Sequence, residues 1–265
     1  MTGVQTCALP IFSDSTAAIA SQLSHLQALG PQITAITQTD ADASLSITLA
    51  QRVATAGVLS KLNEGYTLAL REVSAEQAQS LADDEHVKSV AISDTSANIA
   101  AQLDTLNDNE KIVSLTQTGA AAPLAITAAQ MTRNTSALEK ISGNYSLALN
   151  QVEAGDVAAL SGNVKVSSLS VTDSAANVLA NLAALKAAGK KLGSLSQSGM
   201  PEVLSMTHSN WVTYQGTLEK FTTGYDVALT GVNAASASAV ARLQWRLRLT
   251  ASARDCPSSS PAATA

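Results

Sequence analysis

Three histidines, an acidic triplet and a lysine pair behind a glycine carry most of the chemical potential in this 265-residue chain. His25, His86 and His208 could act as proton carriers or as metal ligands through an imidazole nitrogen. Asp83-Asp84-Glu85, and the pair Asp40 and Asp42, could hold a hard cation through oxygen. Gly189-Lys190-Lys191 has the flavour of a phosphate loop but lacks the upstream glycine and the following Ser or Thr. Ser194, Ser196 and Ser198 have neither a G-x-S-x-G frame nor a partnering histidine. Trp211 and Tyr214 could form a local binding patch or fill a repacked helix.

An internal repeat supplies a test for each of these candidates. Ser93-Asp94-Thr95-Ser96-Ala97-Asn98-Ile99 returns as Thr172-Asp173-Ser174-Ala175-Ala176-Asn177-Val178, with an earlier copy at Ser13-Asp14-Ser15-Thr16-Ala17-Ala18-Ile19. Asp14, Asp94 and Asp173 therefore recur at a near-constant interval, the second step shorter than the first by one position. Gln38, Gln117 and Gln197 keep the same register, as do Gln51, Gln130 and Asn210, and Tyr66, Tyr145 and Tyr225. A residue kept in every copy signals packing or capping before catalysis. The histidines fail the test, since Asp104, Lys165 and Ala128 stand in their places in the second copy. Asp83-Asp84-Glu85 aligns with Ser161-Gly162-Asn163, and Asp40 and Asp42 with Gly119 and Ala121, so both acidic groups read as solvated loops. No catalytic residue, metal ligand or cofactor is expected.

The retained residues read as structural. The tyrosines are expected to be core anchors whose hydroxyls reach water or a carbonyl, with a ligand-stacking row as the alternative. The amides of Gln51, Gln130 and Asn210 are expected at coil corners, bonding turn backbone in successive coils. Asp14, Asp94 and Asp173, each followed by Ser or Thr, are expected to cap the first turn of a helix.

Those helices follow from periodicity. Ile99, Leu103 and Leu106 fall at i, i+4 and i+7, one face of an amphipathic helix, and Ile19, Leu23, Leu26 and Val178, Leu182, Leu185 repeat it. Residues 111–116 and 124–127 read as short strands around the Gly- and Pro-bearing 118–123, with a hairpin left open. A second helix carrying Leu138 and Ile141, a strand at 145–152, an Ala-rich helix at 154–160 and a strand at 164–171 complete the unit. Strand–helix segments thus recur at about 20–33 residues, close to the coil lengths of repeat solenoids. Each segment is too small to bury its own apolar face, so neighbouring repeats in the same chain must supply the partner surface. The expected fold is α/β: a solenoid of stacked strand–helix coils in three repeats, 12–91, 92–170 and an incomplete 171–241. The alternative is a string of compact α/β domains, one to each repeat.

Composition narrows the function classes. The chain has a net charge of −5, and its tail carries Arg242, Arg246, Arg248 and Arg254 against Asp255, so the rest carries −5 − 3 = −8. Such a surface offers no footprint for a phosphate backbone, and nucleic acid is not an expected partner. Both cysteines, Cys7 and Cys256, lie at the ends, so 12–241 holds no disulfide framework. No apolar run approaches the ~18–20 residues of a membrane span. Residues 1–11 resemble a translated short-read sequencing adapter and have neither the basic start nor the apolar stretch of a signal peptide. Residues 242–265 leave the repeat abruptly and are expected to be a frameshifted or disordered tail.

The phrases Ser-Asp-Thr-Ser-Ala-Asn-Ile, Leu-Thr-Gln-Thr-Gly, Leu-Ala-Ile-Thr-Ala-Ala-Gln and Asn-Tyr-Ser-Leu-Ala-Leu resemble repeats of very long bacterial secreted or surface proteins, many of them adhesin-like. The resemblance covers 12–241. It implies a non-catalytic structural or interaction segment, secreted or at the cell surface, acting as spacer or adhesive scaffold toward extracellular ligands. A glycan- or ion-binding repeat module, or a non-catalytic part of a larger secreted enzyme, are the alternatives. The calcium-binding nonapeptide that accompanies some of these proteins does not occur here.

Overall fold

The computed structural model describes residues 10–40 and 42–236. Contacts divide the chain into two compact units, one through Leu147 and one from Ala148. The division falls inside the second repeat and coincides with neither repeat boundary.

In the first unit the order is β1 (Ile11–Asp14), α1 (Thr16–Ala28), β2 (Ala35–Gln38), β3 (Leu45–Thr48), α2 (Leu49–Ala54), α3 (Ala56–Leu59), β4 (Leu68–Val73), β5 (Val87–Thr95), α4 (Ser96–Ala101), α5 (Leu103–Asp108), β6 (Ile112–Thr118), β7 (Leu124–Thr127), α6 (Ala128–Arg133) and α7 (Thr135–Glu139). β1 starts at Ile11, the last residue of the adapter-like segment, and pairs with β2 in parallel. β3, β4, β5 and β6 form a second sheet in chain order, all parallel. The second unit continues with β8 (Leu147–Val152, which begins at the boundary), α8 (Val157–Gly162), β9 (Val166–Asp173), α9 (Ala175–Ala180), α10 (Leu182–Ala187), β10 (Leu192–Gln197), β11 (Leu204–Thr207), α11 (His208–Leu218) and β12 (Val227–Thr230). There β8, β9 and β10 are neighbours in one sheet, and β11 pairs with β12 in parallel. The chain is thus an α/β protein of parallel sheets built from alternating strand–helix units. The registered partners Leu68 and Val87 lie among the nearest in sequence, and Ile36 and Leu62 among the farthest. Each crossover is therefore short.

One question the sequence leaves open is decided, and one expectation is corrected. Residues 111–127 do not form a hairpin: β6 joins β5 in parallel and β7 belongs to a different sheet. Ile141 is not helical but bridges Leu115 in parallel, just beyond the end of α7.

The expected apolar faces are buried. Ile19, Leu23 and Leu26, Ile99, Leu103 and Leu106, and Val178, Leu182 and Leu185 all lie in the core. Strand residues also alternate inward with period two, such as Leu68 and Leu70 in β4 and Val90 and Ile92 in β5. The expected helix stays whole only as α1. In the later copies it breaks at Gln102 and at Asn181 into two short pieces. A complementary difference separates α11, which is continuous, from its equivalents, which break at the buried Thr55 and Asn134.

Each of β4 and β8 turns its penultimate residue into the left-handed region: Glu72 has φ 56° and Gln151 has φ 53°. The third copy places Gly231, φ 69°, at the same point. A side chain there costs about 1–3 kcal/mol, and glycine has no such penalty. Glu72 lies where the β4–β5 register slips between Leu70 and Val73, so the kink re-aims the strand and is kept whatever residue occupies it. Glu72→Gly and Gln151→Gly should each stabilise the chain by about 0.5–1 kcal/mol net of the entropy glycine adds to the unfolded state. Chemical denaturation midpoints measure this, and a fall in both midpoints would contradict it.

Candidate functional site

The retained aspartates are not the helix caps that the spacing suggests. The caps themselves are the next residues: the hydroxyls of Ser15, Thr95 and Ser174 accept from the N–H of Ala18, Asn98 and Asn177. Asp94 reaches back along the chain, where one carboxylate oxygen accepts the Ala75 N–H at 2.9 Å. The other accepts the Thr95 N–H and the Asn98 Nδ2 amide, each at 2.7 Å. Asp173 makes the same set with Ala154 N–H at 2.8 Å and Ser174 N–H and Asn177 Nδ2 at 2.7 Å. Each carboxylate ties the end of its own strand to the backbone that follows the strand before it. Asp14 is exposed, and its carboxylate accepts the Ser15 N–H at 2.7 Å without an asparagine partner, since Ala18 stands in its place.

Partial burial alone would raise the Asp94 and Asp173 carboxyls. The Ala75 and Ala154 N–H groups, the Asn98 and Asn177 amides and the next backbone N–H outweigh it and hold both below the ordinary value.

Gln38, Gln117 and Gln197 hold a second link. Gln38 Nε2 donates to Thr16 Oγ1 at 2.8 Å and Gln117 Nε2 to Ser96 Oγ at 2.9 Å. Ala175 has no hydroxyl at this position, and Gln197 turns instead to Glu202, donating to its carbonyl and accepting its N–H at 2.6 Å. In the first copy Thr16 is engaged twice more, giving its N–H at 2.7 Å and its hydroxyl at 2.6 Å to Asp40. The Thr16 hydroxyl and then its N–H hold the Asp40 carboxyl below the ordinary value. Asp40 stays exposed in its loop, as expected, and also fixes that loop to the start of α1.

Gln51 and Gln130 are corrected from inter-coil rungs to local capping boxes. Thr48 and Thr127 hydroxyls accept the Gln N–H at 3.1 and 3.0 Å, while each Gln Oε1 accepts the threonine N–H in return. Asn210 gives its N–H to Thr207 at 3.1 Å without the reciprocal bond. Gln130 also reaches Asp104, whose carboxylate gathers Asn134 Nδ2 at 2.5 Å, Arg133 Nη2 at 2.8 Å and Gln130 Nε2 at 3.2 Å. Asn134 first, then Arg133, pulls the Asp104 carboxyl down.

The tyrosines are half-buried at the rim rather than in the core. Desolvation raises the hydroxyl pKa of all three. Tyr66 stacks on His86 with centroids 4.2 Å apart and planes at 10°. His86 Nδ1 lies 3.1 Å from the Tyr66 carbonyl. Tyr225 tilts against Phe221 at 4.8 Å.

Asp84 is also no free loop carboxylate. It pairs with Arg52 and accepts the His86 N–H at 2.9 Å. Burial raises its carboxyl and Arg52, as bond partner and as charge, more than reverses that. The same turn recurs where Asn163 Oδ1 accepts the Lys165 N–H, so Asp84 corresponds to Asn163, one position off the sequence alignment. Lysines that the sequence reading misses clamp these turns: Lys111 Nζ donates to the Asp84 carbonyl at 2.7 Å, and Lys191 Nζ to the Ser161 and Asn163 carbonyls. Lys111 and Lys191 hold equivalent positions in successive copies, each just before a strand, but Gln32 stands there in the first copy, so retention in every copy does not pick them out.

The candidate chemical groups are not brought together. His25 belongs to the last turn of α1, His86 to the Tyr66 rim, and His208 to the start of α11 beside a buried Trp211. The buried register of Leu23 and Leu103 sets Ser24, rather than His25, opposite Asp104. Tyr214 carries Lys186 Nζ 5.7 Å from its ring centroid. Gly189, Lys190 and Lys191 form a 3-10 turn. Among the described residues no group of three or more His, Cys, Asp or Glu could hold a metal ion, and no helix is long and apolar enough to cross a membrane. Both cysteines and 242–265 lie outside the described residues.

Open depressions lie among the described residues of the first unit. One of about 490 Å³ is bounded by Thr16, Asp40, Ser44, Gln51 and Arg71, and another of about 430 Å³ by Arg52, Leu59, Asn63, Glu64, Tyr66 and His86. No protein-family model matches the chain, and no curated protein is significantly similar to it.

Asp94→Asn and Asp173→Asn should each cost about 1.5–3 kcal/mol by weakening bonds to a charged acceptor. Both carboxyls are depressed in the fold, so their stabilisation is present above the unfolded value of about 4 and is lost as pH falls through the lower folded value. Urea midpoints at pH 6 and pH 2.5 read both effects, and acid sensitivity unchanged in the double variant would refute the link. Ala175→Ser should return the Gln197 amide to a hydroxyl and add about 0.5–1.5 kcal/mol, measured by the same midpoints.

Proposed function

We propose that the chain is a non-catalytic structural and interaction segment of a long bacterial secreted or cell-surface protein. It acts as a spacer or adhesive scaffold, and its strand–helix units stack as a solenoid. The observation that carries this reading is the use made of the retained residues. Asp94 and Asp173 keep one position and one bonding pattern, and that pattern joins backbone to backbone. Gln117 commits its side chain to a helix-start hydroxyl, and Gln51 and Gln130 to caps. Repeated chemistry is thus repeated carpentry, and a unit that secures its predecessor can be added again. The partners of such a segment are first the neighbouring repeats of its own chain and then extracellular ligands. Neither a cofactor nor nucleic acid is a proposed partner, since the chain is acidic.

Small-angle scattering on the full chain tests the extended form. A compact 265-residue protein has a radius of gyration of about 18 Å. The solenoid reading expects a clearly larger value together with a linear cross-sectional region. A symmetrical pair-distance distribution at the compact value would end it.

A further inference from the structure

The depression beside Tyr66 brings an aromatic plate together with donors and acceptors. Tyr66 and His86 form a two-ring plate, nearly parallel at 4.2 Å, and the contact of His86 Nδ1 with the Tyr66 carbonyl fixes its orientation. His86 is exposed, so the plate keeps an outer face. Arg52 stands at the edge, paired with Asp84 through Nη2, and a guanidinium has five N–H donors. Glu64 is exposed on the same rim and supplies acceptors, and Leu59 gives an apolar floor. The volume of about 430 Å³ falls within the ~300–1,000 Å³ typical of small-molecule sites.

Charge selects among ligand classes. A phosphate or sulfate wants donors alone, and Glu64 and Asp84 oppose it. A cation wants an oxygen cage, and Arg52 opposes that. A sugar hydroxyl both donates and accepts, so a rim of guanidinium, carboxylate and amide suits a polyol. The flat apolar face of a pyranose ring can lie on an aromatic plate.

The other copies sharpen the assignment. Tyr145 occupies the position of Tyr66, but Met131 replaces Arg52, Lys165 replaces His86, Asn163 replaces Asp84 and Glu139 replaces Ser60. The frame of caps and strands is kept while the lining changes, the pattern of a surface whose recognition differs from copy to copy.

We infer that this depression binds a neutral saccharide, through stacking on the Tyr66–His86 plate and hydrogen bonds to Arg52 and Glu64. The inference rests on the scaffold reading and gives that scaffold a ligand class. Saturation-transfer NMR on the full chain tests it, with the methyl pyranosides of glucose, galactose, mannose and N-acetylglucosamine as probes and inorganic phosphate and calcium as competitors. The expected result is transfer to the ring C–H protons of at least one pyranoside, unaffected by either competitor. His86→Ala and Arg52→Met should each weaken that binding at least tenfold while circular dichroism shows the fold retained, and Lys165→Ala should leave it unchanged. Arg52→Met imports the residue of the second copy, so it guards against a misfolded His86→Ala. Silence with all four sugars, displacement by phosphate or calcium, or equal binding in both variants would overturn the site. Scattering on the same sample separates the two ideas, because an extended profile with no sugar binding sinks only the saccharide site.

Discussion

A parallel strand cannot close a tight turn onto its neighbour, so every pairing in this protein depends on holding a crossover in place. The carboxylates of Asp94 and Asp173 do so for the crossovers from β4 to β5 and from β8 to β9. Each stands where a strand ends and a helix begins, and there it satisfies three donors at once. Two of those donors are local and orient the helix start. The third belongs to the backbone that follows the preceding strand. The junction of strand and helix is thereby fixed to the segment before it, and the apolar faces of β4 and β5 meet at one depth because the crossover between them has a fixed end.

Around that link the copies vary by rules that can be read from single atoms. The glutamine near the end of the next strand finds a hydroxyl in the first two copies, on Thr16 and Ser96. Where Ala175 removes the hydroxyl, Gln197 bridges the backbone of Glu202 on both sides of its amide. Asp104 has no acidic equivalent, as Ser24 and Ala183 stand there in the helix register, and it collects Asn134, Arg133 and Gln130 in one copy alone. The loss of Asn134 in the third copy accompanies the continuous α11, with Tyr214 at the former break.

Much of the fold is legible in the sequence. The i, i+4, i+7 faces of Ile99, Leu103 and Leu106 mark the buried side of the helix, and Leu124 to Thr127 reads as a strand with the bounds it has. The break at Gln102 is not legible, because apolar spacing continues through it. The partner of β6 is invisible too, since two short strands around Gly119 read equally as a hairpin or as members of two sheets. Of the retained residues, position can be read but partners cannot. Asp94 carries no mark of its bond back to Ala75, and Gln51 looks alike as a ladder rung or as a capping residue. Asp84 reads as a solvated loop residue only while the alignment slips one position against Asn163, and the turn geometry removes that slip.

The parallel partners are next neighbours along the chain: Leu45 in β3 meets Leu68 in β4, and Leu68 meets Val87 in β5. That closeness makes the topology kinetically undemanding. Parallel sheets usually fold slowly because distant segments must find each other, and the closure entropy is met before any contact rewards it. Within the sheet of β3 to β6, each strand after the first needs only the one formed just before it. A chain emerging end first from a ribosome or an export channel can therefore settle that sheet one strand at a time.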